Sequence, residues 1–361
     1  MLYKLKILTV IGARPQFIKA ATVSRVIKSL DNVQEVLVHT GQHFDQNMSD
    51  VFFEEMSIPK PSYNLEIASL SHGAMTGRML EGIESIIVHE KPDWVLVYGD
   101  TNSTLAGALA ACKLHVKVAH VEAGLRSYNM RMPEEQNRIL TDRISSVLFC
   151  PTEVATGNLQ AEGYDDLDIQ VAKVGDVMYD AALFYSNCAR QPDWFSALNI
   201  CNDFALATIH RAENTDNPDR LREIILALNE VHLTTPVILP LHPRTKKIIS
   251  GLDADLNVYT VDPVGYLEMV YLLKSCAFVL SDSGGVQKEA YYFEKPCFIM
   301  RDETEWTELV DYGANKIVGA RREAILAATN SVSNDTDFSY EFYGAGDAAD
   351  QIVDYLLQYR D

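Results

Sequence analysis

A turn reading Ser281-Asp282-Ser283-Gly284-Gly285 separates an apolar run from a helical pattern that begins near Val286. Glycines at a helix start let backbone N–H groups approach an anion without side-chain obstruction, and the helix dipole favours negative charge there. A diphosphate suits such a turn, with Ser283 adding a hydroxyl donor and Glu289, one turn on, placed to accept from ribose hydroxyls. A plain capping turn with Ser281 or Ser283 as N-cap accounts for the same residues about as well. The turn is not Gly-x-Gly-x-x-Gly, and no Gly-x-x-x-x-Gly-Lys-Ser/Thr occurs, which argues against a dinucleotide fingerprint and a P-loop.

Basic residues follow other apolar runs. Arg14 and Lys19 come after the first, His210-Arg211 after a second, His242 and Arg244 after a third, and Arg301 after a fourth. Each could meet phosphate or a sugar oxygen, His210 is also a candidate catalytic acid that titrates near neutral pH, and Lys19 stands among Phe17, Ile18 and Ala20, where a merely solvated lysine is less at home. Gln42 and His43 close a Thr-Gly-Gln-His stretch of the same kind. Asp100 and Glu122 end adjacent strand-like runs and are followed by small residues that leave room for a ligand. Carboxylates in such places are costly unless paired or used, so helix capping by Asp100 and an ion pair from Glu122 to Arg126 are the structural alternatives. Glu134 and Glu135 follow Pro133 at a helix start, where the dipole favours acids regardless of function. His39, His43, His115 and His120 lack metal-ligand spacing, so no catalytic metal is expected.

Positioning these residues falls to short β-branched runs that alternate with helical patterns. Runs at 6–11, 35–39, 94–98, 116–121 and 147–150 interleave with helical patterns at 16–30, 71–90, 103–114 and 133–145. The plan repeats with runs at 204–209, 237–241, 258–260, 277–280 and 297–300 and helices at 218–232, 266–274, 286–293 and 321–328. Such alternation predicts parallel sheets covered on both faces, and ligands bind beyond the carboxyl ends of their strands. The expected architecture is α/β: two Rossmann-like doubly wound domains facing a cleft. The first covers 1–172 and the second 173–345, with 171–190 as the crossover. A C-terminal helix in 346–361 packs on its own domain or crosses back to the first.

The 361 residues suit two domains, and a formal charge of −19 without a basic run repels nucleic acid and anionic membranes. A small anionic substrate must therefore meet a local positive pocket. No stretch approaches the ~20 apolar residues of a membrane span, and the first residues lack a secretory cleavage pattern. Six cysteines without a CxxC pair predict reduced thiols and a cytoplasmic protein.

Over essentially its full length the chain resembles the non-hydrolysing UDP-N-acetylglucosamine 2-epimerases. The segments that carry the resemblance are GARPQFIKAA, TGQH, YGDTNSTLAGALAA, HVEAGLRS, MPEEQNRILTDR, His210-Arg211, SDSGGVQKEA and RDETE. The resemblance implies a glycosyltransferase-B-like pair of domains, usually a homodimer, with UDP bound mainly by the second domain and no cofactor. It implies nucleotide contacts from Arg14, His210, Ser283, Gly284, Gly285, Glu289 and Arg301, and catalytic carboxylates at Asp100, Glu122 and Glu134. The implied reaction couples removal of the sugar C2 proton to loss of UDP from C1, giving a 2-acetamidoglucal to which UDP adds back. That needs a base, an acid and a clamp on the leaving group.

Two departures matter. Thr304-Glu305-Trp306-Thr307-Glu308 stands where many members have Thr-Glu-Arg-Pro-Glu, and Tyr128-Asn129-Met130-Arg131 replaces a longer loop. These features are more similar to the subgroup acting on UDP-2,3-diacetamido-glucuronic acid in surface polysaccharide synthesis, whose carboxylate Arg131 could meet. The expected substrate is UDP-GlcNAc, with the diacetamido-uronate as the alternative. A glycosyltransferase on the same fold, a hydrolysing enzyme and a non-catalytic UDP-sugar sensor are the competing readings.

Overall fold

A computed structural model describes residues 4–42, 60–200, 203–252, 254–332 and 336–359. The chain divides into two compact units, Met1–Ala181 with Glu341–Asp361, and Ala182–Tyr340.

The first unit carries strands β1 (Leu5–Ile11), β2 (Val33–His39), β3 (Tyr63–Asn64), β4 (Trp94–Tyr98), β5 (Lys117–Val121), β6 (Val147–Cys150) and β7 (Gln170–Lys173). Its described helices begin with α1 (Arg14–Lys28), α2 (His72–Glu90), α3 (Asn102–Lys113), α4 (Pro133–Ile144), α5 (Glu153–Ala161) and α6 (Val177–Ser186), the last of which runs past the division at Ala181. The strands form one parallel sheet in the order β3-β2-β1-β4-β5-β6-β7. Runs such as WVLVY in β4 are buried throughout because helices cover both faces of a doubly wound sheet. Leu8, Val10, Val95 and Val97 pack with Met79, Ile83 and Ile87 of α2 and the alanines of α3, whose small side chains let that helix lie close.

The second unit has β8 (Ala205–Thr208), β9 (Val237–Pro240), β10 (Tyr259–Val261), β11 (Phe278–Ser281), β12 (Cys297–Ile299) and β13 (Asn315–Ile317). Its helices are α7 (Ala212–Thr215), α8 (Pro218–His232), α9 (Pro243–Ile249), α10 (Tyr266–Ser275), α11 (Gly284–Tyr292), α12 (Thr307–Asp311) and α13 (Arg322–Thr329). The sheet order is β10-β9-β8-β11-β12-β13, again all parallel. Helix α8 shows how locally its start is encoded: the Asn217 side chain accepts from the N–H groups of Asp219 and Arg220, and Pro218 takes the first position. Leu221, Ile224, Ile225 and Leu228 then form its buried stripe.

The chain ends in α14 (Ala348–Gln358), part of the first unit. Its residues Ile352, Val353 and Leu356 are buried, and Tyr355 and Tyr359 set their ring edges against Phe149 and Trp94. The stretch expected as a crossover, 171–190, contains the division at Ala181; it opens within β7, which pairs with β6, and continues through α6. A four-residue edge strand, QVAK, has too little apolar alternation to stand out. Helices α5 and α9 were likewise not expected, and both start on local caps, Thr152 and His242.

Candidate functional site

In a doubly wound sheet the ligand crevice lies where strand order reverses, which is between β1 and β4 in the first unit and between β8 and β11 in the second. Arg14 and Asp100 follow β1 and β4 at the first reversal, His210 and the Ser283-Gly284-Gly285 turn follow β8 and β11 at the second, and Glu122, His242 and Arg301 follow neighbouring strands, so each unit presents its own cluster.

In the first unit, α1 opens with Arg14 directly beyond β1. Gln16, two residues later and buried, accepts from the Gly12 and Ala13 N–H groups and donates to the Tyr98 carbonyl and Thr104 hydroxyl, joining the ends of β1 and β4. Lys19 is buried, and its Nζ lies 2.6 Å from Oε1 of Glu122. Asp100 receives Nη2 of Arg138, whose other arm, Nη1, donates to Glu135 at 2.9 Å. The structural alternatives from sequence thus give way: Thr101, not Asp100, caps α3, and Glu122 pairs with Lys19 rather than Arg126. Arg126 instead turns inward to Asp142 at 2.7 Å and Glu162 at 2.7 Å. A buried guanidinium held between two carboxylates would have to be shared with them to meet a sugar, and these pairs give Arg126 a structural task of its own.

The two glutamates of α4 divide. Glu135 is fully buried and accepts from the Ser127 and Tyr128 N–H groups as well as Arg138, and these bonds, against the cost of burial, keep its pKa below the ordinary carboxylate value. Glu134 is exposed in the first turn. The Gln42 carboxamide oxygen accepts from the Ser103 N–H and hydroxyl at the start of α3, so its side chain ties β2 to that helix. Arg131 is exposed after Met130. His43 lies outside the described residues.

In the second unit, Ser283 occupies the N-cap of α11, but its hydroxyl makes no capping bond. The Ser281 hydroxyl takes the Ser283 N–H and also bonds Thr208, locking β11 to β8. A methyl group added at Gly285 would meet open space, whereas one at Gly284 would meet Glu305 Oε2 at 3.3 Å, with Arg211 and Trp306 just beyond. Trp306 donates its indole N–H to the Gly284 carbonyl, and Lys288 stacks 4.1 Å over its ring. Asp282 is buried and accepts from the backbone N–H groups of His210 and Arg211, which fixes those residues beside the turn. Partial burial, joined by Arg211 and Arg301, outweighs the nearby Asp282 carboxylate and holds the His210 pKa below its usual value. Arg301 is buried and grips Glu305 with both terminal nitrogens, while Glu213 approaches its Nε at 3.6 Å. His242 caps α9, its Nδ1 accepting from the Arg244 N–H. Glu289 is buried on α11.

Sequence reasoning missed Arg138 and Arg211 as site residues. Arg138 sits at i+4 from Glu134 and i+3 from Glu135, a spacing that could have flagged it. Arg211 was seen only as the neighbour of His210, yet its guanidinium lies beside Gly284. Among the described residues no group of three or more His, Cys, Asp or Glu could hold a metal, and no helix is long and apolar enough to cross a membrane.

Comparison with known proteins places this geometry. The family model described as UDP-N-acetylglucosamine 2-epimerase matches residues 25–357. The UDP-2,3-diacetamido-2,3-dideoxy-D-glucuronate 2-epimerase of Pseudomonas aeruginosa is 57% identical, over 98% of this chain and 100% of its own. The structure of the Methanocaldococcus jannaschii UDP-GlcNAc 2-epimerase in complex with UDP-GlcNAc and UDP is 41% identical with a TM-score of 0.87, covering 99% of this chain and 100% of that one. The Neisseria meningitidis UDP-GlcNAc 2-epimerase bound to UDP-GlcNAc is 32% identical with a TM-score of 0.89, covering 98% and 100%. With two parallel α/β sheets, the segments named above and these full-length relatives, the chain belongs to the UDP-N-acetylglucosamine 2-epimerase family of isomerases.

Proposed function

We propose that this chain inverts C2 of UDP-2,3-diacetamido-2,3-dideoxy-D-glucuronate without hydrolysing it. The observation that carries the sugar assignment is the 57% identity to an epimerase of that substrate across both full lengths, against 41% for the UDP-GlcNAc enzyme of M. jannaschii. UDP-GlcNAc is the second reading, favoured by the ligand in two structures of the same fold.

The chemistry fits the two clusters. A carboxylate from the set Asp100, Glu122 and Glu134 takes the C2 proton while the C1–O bond breaks and its electron pair leaves with UDP. A second member of the set returns a proton to the opposite face of the resulting glycal, and UDP re-forms the C1–O bond. Such a scheme needs two carboxyl groups that hand over protons and a clamp that keeps the leaving group close. Support for the first comes from Asp100, beyond β4 at the strand-order reversal, and Glu122, beyond the adjacent β5, which are ion-paired with Arg138 and Lys19 respectively. Support for the second comes from Ser283, Gly284 and Gly285 at the start of α11, with His210, Arg211 and Arg301 beside them. Arg14, Lys19, Gln42, His43, His242 and Glu289 complete the proposed substrate set, and Arg131 would take the uronate carboxylate. Lys19, Arg126 and Arg138 already face carboxylates of the chain, whereas Arg131 is exposed, which supports that assignment.

We further propose a homodimer working in the cytoplasm on a surface-polysaccharide precursor. Cys112, Cys150, Cys188, Cys276 and Cys297 as free thiols suit a reducing compartment, and the family resemblance suggests the dimer. Turnover of the two nucleotide sugars tests the sugar assignment: kcat/KM should favour the diacetamido-uronate by at least about 10²-fold, and Arg131→Ala should erase most of that preference. A preference for UDP-GlcNAc would overturn it.

A further inference from the structure

Glu122 carries a backbone φ of 68°, in the left-handed region that a residue with a side chain seldom adopts. Such strain persists only where the surroundings over-determine it. The Glu122 and Ala123 N–H groups both donate to the Phe149 carbonyl at 3.1 Å, and a buried carboxylate twenty residues further along the chain anchors the residues on either side. Asp142, on α4, is fully buried. Its Oδ1 lies 2.7 Å from Nδ1 of His120, two residues before Glu122. Its Oδ2 accepts from the backbone N–H of Gly124, two residues after Glu122, at 3.3 Å, and from Nη1 of Arg126 at 2.7 Å. The strained residue is thus gripped on both sides by the same side chain.

The grip extends to another of the proposed catalytic carboxylates. His120 is fully buried, and its Nε2 donates to the Gly99 carbonyl at 2.8 Å, since that oxygen can only accept. Gly99 immediately precedes Asp100 and sends its own N–H to the Val121 carbonyl at 3.0 Å. Gly124 permits no substitute, because its φ is 78° and a Cβ there would stand 2.4 Å from the Ala155 carbonyl. Arg126, held by Glu162 on its other side, closes the network.

We propose that Asp142, acting through His120, Gly124 and Arg126, is a positioning residue that keeps Glu122 in its left-handed conformation and aligns it with Asp100. The inference rests on the 2-epimerase reading above. It touches no substrate and assigns Asp142 no proton transfer, so the role can be separated from charge. An asparagine can reproduce the geometry: its oxygen accepts from Gly124 and Arg126, and its amide donates to a His120 tautomer that still bonds Gly99. Alanine cannot.

The test uses the full chain and begins with wild-type exchange of the C2 proton, whose absence would sink the epimerase reading and leave nothing to position. With exchange established, Asp142→Ala should lower kcat on the order of 10²-fold, the loss typical of a misplaced catalytic group, with KM and UDP affinity nearly unchanged. Asp142→Asn should stay within about tenfold of wild type. His120→Ala, which frees Gly99 but leaves Asp142 paired with Arg126, should fall between them. Combined with Glu122→Gln, Asp142→Ala should add little further loss, because both act on one group. Equal loss from Asn and Ala, full additivity with Glu122→Gln, or wild-type kcat in a folded Asp142→Ala protein would each overturn the proposal. Unfolding of both Asp142→Ala and His120→Ala would overturn it too, in favour of a purely structural network.

Discussion

Arg138 reaches two carboxylates with one planar fork, Asp100 at the reversal of strand order and Glu135 in the interior. A lysine offers a point charge and cannot span both. Arg138→Lys should therefore leave Glu135 short of a partner, costing about 2 kcal/mol of stability, and should also reduce kcat by roughly 10²-fold if Asp100 moves protons. Denaturant unfolding and steady-state turnover measure the two effects, and loss of stability with intact kcat would remove Asp100 from the chemistry. Arg301 poses a related question, because its fork already grips Glu305. Burial is outweighed by that pairing, so Glu305 titrates below its usual range and Arg301 above it. A diphosphate meeting Arg301 would have to share it with Glu305, and Glu305→Gln, which weakens the competing anion, should tighten UDP binding measured by calorimetry. Weaker binding would show that Glu305 instead holds Arg301 in the shape the nucleotide needs.

At the scale of elements, the start of α11 separates stability from binding. Gly285 faces open space and has no positive φ, so an alanine there should fit and raise helix stability by up to ~1 kcal/mol. If a diphosphate rests on that turn, the same methyl should weaken UDP binding at least tenfold, a split that calorimetry and thermal melting resolve together. Unchanged UDP affinity in Gly285→Ala would move the diphosphate elsewhere. Helix α14 offers a second contrast. Deleting residues from Ala348 onward uncovers Phe149 and Trp94 and removes the buried Ile352, Val353 and Leu356, a loss on the order of 5 kcal/mol. The deletion should lower the melting transition of the first unit, while the transition that UDP raises, assigned to the second, stays in place.

Across the whole molecule, burial lowers the pKa of His39 from 6.5 to about 4. A base whose folded pKa lies below its unfolded one adds stability above pH 6.5 that fades as pH falls toward 4, here up to ~3 kcal/mol. Unfolding free energy should therefore drop through that window, and His39→Gln should flatten the drop; an unchanged slope would assign it to other groups. Much of this architecture was legible in the sequence because strands such as WVLVY and the Gly284-Gly285 turn carry their structure locally. The paired cations were not, since Lys19 and Glu122 meet across 103 residues and Arg126 points inward for reasons only tertiary packing supplies. Asp142 escaped notice for the same reason, being one polar residue in a helix whose partners lie on other elements. The proposed reaction makes one demand on the whole protein, that the C2 hydrogen exchange with solvent. Incubating the enzyme with UDP-2,3-diacetamido-2,3-dideoxy-D-glucuronate in heavy water should yield both epimers carrying deuterium at C2. Epimers formed without deuterium, or no exchange with this sugar or with UDP-GlcNAc, would contradict the account.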